Sequence, residues 1–162
     1  MIKLLESSEI PRAAEIIRES FASVAKEFNL TKENSARHTA FSTNAEKLEN
    51  HAEWGWLMYG FYGNGQLIGY VSISKEYGTG RNAYEIHNLA VLPEYRHEGC
   101  GRQLLDFCKE KVKELGGEKI TISIIEENVV LKNWYIANGF IHTGTKIFDF
   151  FPFTCGYMEY IV

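Results

Sequence analysis

Hydrophobic positions recur along the chain at two spacings, which separate its predicted helices from its predicted strands. Apolar residues three and four apart predict long helices over residues 8–28 and 101–115 and a short one over 128–137. Between residues 118 and 125, apolar and polar side chains alternate, which is typical of a strand with one buried face. Turn-forming residues flank the other apolar runs, which are therefore predicted to be strands. The predicted order of elements is β-α-α-β-β-β-α-β-α-β-β.

The other predicted strands are rich in aromatic and β-branched residues. Gly63-Asn64-Gly65 is a strong hairpin signal, and Thr31 and Thr43 each precede a pattern typical of a helix start. One or two short helices are therefore expected in the polar region 29–50. The predicted strands cover residues 1–6, 56–62, 66–75, 84–92, 140–150 and 153–161. Such an order predicts an α+β fold with mixed strand directions.

The composition indicates one globular domain over residues 1–162, because 45% of the chain is hydrophobic. No run approaches the roughly 18 apolar residues of a membrane span, and the N-terminus does not resemble a secretory leader, so a cytoplasmic protein without membrane contact is expected. The cysteines lack Cys-x-x-Cys spacing, so neither disulfides nor a metal site is predicted. A net charge of −4 argues against a nucleic-acid partner and favours a cationic substrate.

Residues 84–105 carry the strongest chemical signal. An apolar run ends at Pro93, which has no N–H for a sheet, and a turn with Gly99 and Gly101 leads directly into the predicted helix. The free N–H groups of a helix N-terminus form an anion pocket, and glycines let a phosphate approach them. The turn lacks the Gly-Lys-Ser/Thr of a P-loop and the third glycine of a dinucleotide-binding turn. An ordinary strand–helix turn is the alternative.

The remaining pattern is Arg96-x-x-Gly99-x-Gly101 after a strand that ends Leu-Ala-Val-x-Pro. It closely resembles the coenzyme A pyrophosphate loop of the GNAT superfamily of acyl-CoA N-acyltransferases. The resemblance extends over essentially the whole chain and implies an α+β fold with a mixed central sheet. This sheet would have six to seven strands, splayed between strands 4 and 5, and about four flanking helices.

A second motif supports the resemblance to the GNAT superfamily. Asn128 is followed seven residues later by Tyr135 and then by Gly139-Phe140, at the intervals common in that family. Two motifs at the correct separation are far more specific than either one alone. Leu131 departs from the family pattern, because a small residue is usual there, and its side chain could narrow the groove.

The resemblance also implies acetyl-CoA as the acyl donor. The pantetheine amides would pair with the strand that carries Leu89, Ala90 and Val91, as an added β-strand does, and an N–H near Leu89 would face the thioester carbonyl. Asn128 would hydrogen-bond the pantetheine arm, or would serve only as a helix cap. The pyrophosphate would be surrounded by Arg96, His97, Glu98, Gly99, Cys100, Gly101 and Arg102.

Three residues are candidates for acid–base chemistry. A lysine-type amine has a pKa of about 10.4 and attacks a thioester only when it is neutral, so a base that takes its proton is useful. The resemblance implies that Glu85 is this base. His87 lies on the same strand face and could act in its place or pass the proton to it, and a water molecule is a further alternative. Tyr135 matches the family's general acid for the departing thiolate. Each residue also has a purely structural alternative: Glu85 as a solvated carboxylate, His87 as a hydrogen-bonded histidine of the sheet, and Tyr135 as an aromatic residue of the core.

The family pattern implies an acceptor site between the first two helices and the last hairpin. Glu27 or Asp149 would attract the charge of the amine there. No motif identifies the acceptor, and a homodimer through the C-terminal strands stays open. The candidate wall residues are Phe21, Phe28, Arg37, His38, Phe148, Phe150, Phe151, Phe153 and Tyr157.

The function predicted from the resemblance is N-acetyl transfer from acetyl-CoA to a primary amine. The amine would attack directly in a ternary complex, and it could belong to a small molecule, a protein N-terminus or a lysine. The alternative is an acyl-CoA-binding sensor or assembly domain without turnover, which would keep the pyrophosphate loop and lack the acid–base pair.

Overall fold

A computed structural model describes the whole chain, Met1–Val162. Seven strands form one sheet in the order β1-β2-β3-β4-β5-β7-β6. The strands are β1 (Ile2–Leu4), β2 (Leu57–Gly63), β3 (Gln66–Lys75), β4 (Ala83–Val91), β5 (Lys119–Ile125), β6 (Ile141–Ile147) and β7 (Thr154–Ile161). The helices are α1 (Ile10–Glu27), α2 (Thr39–Ser42), α3 (Ala45–Glu53), α4 (Cys100–Glu114) and α5 (Val129–Ala137).

The predicted α+β fold with a mixed, splayed sheet is confirmed. Every neighbouring pair of strands is antiparallel except β4 and β5, which run parallel. Five α-helices flank the sheet where about four were expected, and one of them, α2, is only four residues long. No helix combines the length and the apolar character needed to cross a membrane.

The pairing between β4 and β5 ends long before the strands do. It runs only from Ala83–Lys119 to Glu85–Thr121, although β4 continues to Val91. Beyond that point the two strands diverge, and the backbone of β4 has a neighbour on one side only. The divergence leaves a gap in the middle of the sheet.

An irregularity in β4 falls at the start of this gap. Ser72 of β3 lies opposite His87, but Tyr70 lies opposite Ala90, so β4 contains one extra residue. Asn88 has a φ of 52°, a left-handed conformation that asparagine tolerates better than most residues. Such a bulge bends the strand and redirects its side chains. It therefore marks the place where β4 leaves β5.

The sheet separates two layers of helices. Side chains alternate along β4, so Tyr84 and His87 point to opposite faces. Tyr84 lies beside Val112 of α4. His87 stacks on Trp56, which in turn stacks on His51 of α3. Because α1 packs against β3, β4 and α3, we call the two sides the α4 face and the α1 face.

The apolar stripes that predicted the long helices form the core. In α4 the residues at three- and four-residue spacing face the sheet and are fully buried, as are those of α1. These residues are Leu104, Leu105, Cys108 and Val112 in α4 and Ala13, Ile16 and Ile17 in α1. The helical periodicity of the sequence therefore identified the buried face of both helices.

Several predicted boundaries were wrong, and local hydrogen bonds explain them. No helix begins at Thr31, because Thr31 and Asn34 exchange side-chain and backbone hydrogen bonds that close a turn. The N-cap of α3 is Asn44 rather than Thr43, since the Asn44 Oδ1 accepts from the Lys47 N–H at 2.8 Å. The predicted strand over residues 140–150 also ends earlier than expected. The strand β6 stops at Ile147, because Phe148–Phe151 close a turn instead of extending it.

Candidate active site

The turn before α4 presents unpaired backbone N–H groups. Gly99 is the N-cap of α4 at a φ of 82°, a conformation that favours glycine, and no side chain caps the helix. The first hydrogen bond along the helix runs from the Gln103 N–H to the Gly99 carbonyl at 3.0 Å. The N–H groups of Cys100, Gly101 and Arg102 therefore have no partner within α4, and the helix dipole adds partial positive charge there.

Glycine also keeps the space in front of these N–H groups open. A methyl group built on Gly99 would meet no atom within 4 Å, and one built on Gly101 would come no closer than 3.9 Å to Leu89 and Trp134. The turn is therefore not packed against side chains. Its geometry fits a diphosphate, which needs several N–H donors and room to reach them.

A cleft of about 590 Å³, which we call the central cleft, runs from this turn through the gap between β4 and β5. It is lined by both helix layers, so it connects the α4 face with the α1 face. Its lining comprises Ser20, Phe21, Val24 and Glu27 of α1, Ile86 and residues 88–91 of β4, Arg96, His97, Gly99, Gly101 and Arg102 of the turn and α4, residues 122–124 of β5, and Asn128, Val130, Leu131, Trp134 and Tyr135 at α5.

The residues predicted to hold the pantetheine arm lie along this cleft. Ala90 and Val91 pair with β3, opposite Tyr70 and Gly69, and have no strand partner on the β5 side. Leu89 lines the cleft beside them. An open strand edge of this kind can pair with the amides of an extended ligand.

The predicted pyrophosphate-loop side chains divide into two groups. Arg96, His97 and Arg102 line the central cleft. Glu98 is exposed to solvent and Cys100 is buried in the core, and neither residue belongs to the lining of the cleft. The loop therefore contributes mostly main-chain donors.

Arg96 is held by α1. Its guanidinium donates to the Ser20 carbonyl at 2.6 Å, to the Ser23 Oγ at 2.8 Å and to the Val91 carbonyl at 3.3 Å. These bonds join the end of β4 to one turn of α1. Most of the directed donors of Arg96 are thus used within the protein, which limits what it can offer a phosphate.

Asn128 and Tyr135 stand at opposite ends of α5 and both line the central cleft. The Asn128 Oδ1 caps α5 by accepting from the Leu131 N–H at 3.2 Å, which leaves its amide donors free. Tyr135 is 7% exposed, and its ring packs on Trp134 and Phe140. Burial, with a smaller effect of Cys108, raises the pKa of Tyr135, so its hydroxyl keeps its proton at neutral pH.

Glu85 and His87 lie side by side on the α1 face. The Glu85 Oε2 is 3.6 Å from the His87 Nε2, which also shares a 2.8 Å hydrogen bond with the Ser74 Oγ. Burial, followed by the nearby charge of Glu76, raises the pKa of Glu85 to about 7. Burial and then His51 lower the pKa of His87 to about 4. Near neutral pH the pair therefore gains or loses one proton, and it does so at the carboxyl group.

A stack of three rings supports this pair, and sequence reasoning missed it. Trp56 lies between His51, at a centroid distance of 3.9 Å, and His87, at 4.1 Å, with all three rings nearly parallel. No motif spacing links residues from α3, the segment before β2, and β4. The only sequence signal was the aromatic pair Trp54 and Trp56, between the polar region 29–50 and the predicted strand that begins at residue 56.

A second opening, which we call the side cavity, adjoins the central cleft on the α1 face. Its volume is about 210 Å³. The two spaces share six lining residues: Phe21, Val24, Ser123, Ile124, Asn128 and Leu131. The side cavity adds Arg37, His38, Thr39, Ile125, Phe151, Phe153 and Cys155. Of the predicted acceptor-wall residues, Phe21, Arg37, His38, Phe151 and Phe153 are brought together here, whereas Phe28, Phe148, Phe150 and Tyr157 lie outside its lining.

Comparison with known proteins agrees with this architecture. The model of the Acetyltransferase (GNAT) family matches residues 18–140, which is more than half of the chain. The chain therefore belongs to the GNAT acetyltransferase family. The predicted family resemblance is confirmed, together with the fold that it implied.

Individual relatives are distant in sequence. An uncharacterized N-acetyltransferase encoded in the pepI 3′ region of Lactobacillus delbrueckii subsp. lactis is 26% identical over 91% of this chain and 88% of its own length. The PaiA N-acetyltransferase of Thermoplasma acidophilum, solved in complex with coenzyme A, has a TM-score of 0.83 at 22% identity, over 100% of this chain and 98% of its own. YncA of Salmonella typhimurium, solved with acetyl-CoA, has a TM-score of 0.72 at 17% identity, over 99% and 92%.

Proposed function

We propose that the protein transfers the acetyl group of acetyl-CoA to a primary amine, with both substrates bound at once. The observation that supports this most directly is the central cleft, which joins the unpaired N–H groups of α4 to the α1 face through the gap between β4 and β5. A donor bound from the α4 face and an amine bound on the α1 face would meet in that gap. Solved relatives that hold coenzyme A or acetyl-CoA support the choice of donor.

The chain offers a consistent set of contacts to acetyl-CoA. The N–H groups of Gly99, Cys100, Gly101 and Arg102 would bind the diphosphate, and the free edge of β4 from Leu89 to Val91 would pair with the pantetheine amides. The free amide donors of Asn128 would bind the same arm. Acetyl-CoA supplies the activated acetyl thioester.

Glu85 and Tyr135 then have separate tasks in the transfer. The amine nitrogen bonds to the acetyl carbon and the carbon–sulfur bond breaks. The proton lost by the nitrogen passes to the Glu85 carboxylate, directly or through water or His87, and the thiolate takes the hydroxyl proton of Tyr135. A carboxyl group with a pKa of about 7 is well matched to a base that works near neutral pH. Proton exchange with solvent restores both residues.

The proposal is tested by measuring amine-dependent release of free thiol from acetyl-CoA with a panel of primary amines. We expect saturable release, lowered at least about tenfold in Tyr135→Phe, because general acid catalysis typically contributes at least that much. Tyr77→Phe is the matched control, since Tyr77 is 85% exposed and lies outside the cleft. Both variants should keep the wild-type affinity for acetyl-CoA.

Two outcomes would contradict parts of the proposal. Unchanged turnover in Tyr135→Phe would remove this residue from the mechanism. Tight binding of acetyl-CoA with no thiol release for any amine would instead favour a sensor or assembly domain.

A further inference from the structure

We infer that the acceptor is an amine with an anionic group at its far end, the two being joined by an apolar segment, and that Arg37 and His38 bind the anion in the side cavity. The inference rests on the proposed function, because it assigns the chemistry of the amine substrate. It follows from an unusual separation of charge along the α1 face.

Arg37 is a cation without an anionic partner. Its guanidinium lies over the ring of Phe150, 4.1 Å from the centroid, and forms neither an ion pair nor a side-chain hydrogen bond within the protein. Stacking of this kind fixes the plane of the guanidinium while its edge donors stay free. Since Arg37 lines the side cavity, those donors are available to a ligand that enters it.

His38 adds a second donor of fixed direction. Its Nδ1 accepts a hydrogen bond from the Ala40 N–H at 3.3 Å, and burial lowers the pKa of the ring. The neutral ring must then carry its hydrogen on Nε2. That atom has no hydrogen-bond partner within the protein, and His38 lines the side cavity. A neutral N–H donor beside a guanidinium is well suited to a carboxylate or a similar anion.

No carboxylate lines this cavity, and Asp149, which the sequence offered as an attractor of the amine, is exposed beside Phe150 and outside the lining. The acidic residues just beyond β5 are already engaged, since Glu126 pairs with Lys132 and His142, and Glu127 accepts from the Thr154 N–H. A bound cation would therefore meet Arg37 with no compensating charge.

The opposite charge lies further along the same face of the sheet. Glu85 lies opposite Thr121 and is influenced by the charge of Glu76, and its closest charged or titratable partner is the neutral His87. The side cavity begins at Ser123, two residues further along β5, and extends to Ile125. At about 3.3 Å per residue, the carboxylate and the cavity are roughly 7–13 Å apart along the strand.

The wall shared by the two spaces is mostly apolar, with Ser123 and Asn128 as its polar members, and Glu27 lines the central cleft near it. Phe21, Val24 and Leu131 line both the side cavity and the central cleft, and Phe153 closes the outer wall. Glu85 lies outside both linings, but its neighbour Ile86 lines the central cleft. With Glu85 as the proposed base, a ligand that spans this distance needs an amine that reaches Glu85 from the central cleft, a mostly apolar middle and an anion at the Arg37 end. This describes an ω-amino acid or the side chain and carboxylate of a lysine-like molecule.

Three amines of equal chain length separate the alternatives: ε-aminocaproate, n-hexylamine and hexamethylenediamine. Each carries a primary amine on a six-carbon chain, and the far end is anionic, neutral or cationic. Rates for the diamine are divided by two, because either of its amines can react. The measurement is kcat/KM for thiol release from acetyl-CoA, at a pH above the Glu85 pKa of about 7. We expect ε-aminocaproate to be preferred over both other amines by about tenfold or more, the scale of one charge-assisted hydrogen bond.

Variants at Arg37 should change this order and little else. Arg37→Met keeps a chain over Phe150 without the charge, so it should lower the preference to about twofold or less. Arg37→Glu should reverse the order in favour of hexamethylenediamine. Lys113→Glu makes the same charge change on the exposed surface of α4, away from both cavities, and should leave the order intact.

Failure of this inference can be told apart from failure of the proposed function. Equal use of the three amines, or a preference of the wild type for the diamine, would overturn the inference while N-acetyl transfer stands. If no amine reacts, calorimetric binding of the three compounds to the CoA complex decides the matter. Binding of ε-aminocaproate that depends on Arg37 would uphold the anion site and reject the enzyme, and no binding would overturn the site.

Discussion

The two sides of the sheet build their sites from different parts of the chain. On the α4 face the proposed donor site consists of main-chain groups: the N–H groups after Gly99 and the free edge of β4. On the α1 face the proposed acceptor site consists of side chains, among them Glu85, His87 and Arg37. A main-chain site constrains the backbone and tolerates many side chains, whereas a side-chain site changes its chemistry with one substitution. The α4 face is therefore suited to a constant ligand and the α1 face to a variable one.

The largest effect that would sharpen this contrast is expected for Glu85→Gln. Removal of the base should lower kcat/KM for the amine by about 100-fold, within the usual range for general acid–base catalysis, and leave the affinity for acetyl-CoA unchanged. In the wild type the rate should rise as the pH passes about 7, because only the ionised carboxylate accepts a proton. The pH–rate profile of the variant should lack this step.

Glu76→Gln provides a control for the pH assignment. The charge of Glu76 contributes to the raised pKa of Glu85, so its removal should move the step in the rate profile to lower pH without abolishing it. If Glu85→Gln keeps both the rate and the step, His87 or a water molecule is the base.

The second-largest effect is expected for acetyl-CoA binding at the main-chain N–H groups of α4. Gly101→Val should weaken acetyl-CoA binding by about 10- to 100-fold, because its branched side chain would fill the space before the α4 N–H groups. The fold should persist, since the nearest atoms to a methyl group at this position lie 3.9 Å away. Gly101→Ala should fall between the wild type and the valine variant. Calorimetric titration with acetyl-CoA measures all three.

The contrast would break down if the Gly101→Val variant bound acetyl-CoA normally. Normal binding would mean that the diphosphate does not approach this turn. The same substitution at Gly144, which has open space around it on β6, is the matched control and should not affect binding.

The smallest effect concerns the ring stack on the α1 face. Burial, and then Lys47, lower the pKa of His51 to about 4, below its ordinary value of 6.5. The stability linked to this histidine is present above pH 6.5 and is lost as the pH falls towards 4, since the unfolded chain binds the proton first. His51→Phe keeps a ring against Trp56 and removes this titration.

Thermal unfolding at several pH values measures the effect of His51→Phe. Between pH 6.5 and 4 the free energy of unfolding of the variant should fall by roughly 1–2 kcal/mol less than that of the wild type. This corresponds to about 2–8 °C for a chain of this size. Parallel pH curves for the two proteins would show that His51 does not titrate differently on folding.

The contrast between the faces also explains what the sequence could predict. Glycine spacing, Pro93 and the interval from Asn128 to Tyr135 indicated the α4 face, because backbone geometry restricts which residues can occupy a turn or a cap. The strands and long helices followed from apolar periodicity in the same way. These signals are local, and each lies within one short stretch of sequence.

The α1 face could be predicted only in part. Periodicity placed Glu85 and His87 on one strand face, but nothing in the sequence indicated that Trp56 would stack between His87 and His51. The bonds from Arg96 to α1 were likewise hidden, because they join residues more than 70 positions apart. Such contacts depend on the packing of distant elements and leave no local pattern.

The bonds of Arg96 have a mechanical consequence. The turn of α1 that accepts them, at Ser20 and Ser23, also carries Phe21 and Val24 into the wall shared by the two cavities. A ligand that displaces the loop after β4 would therefore also displace the wall shared by the two cavities.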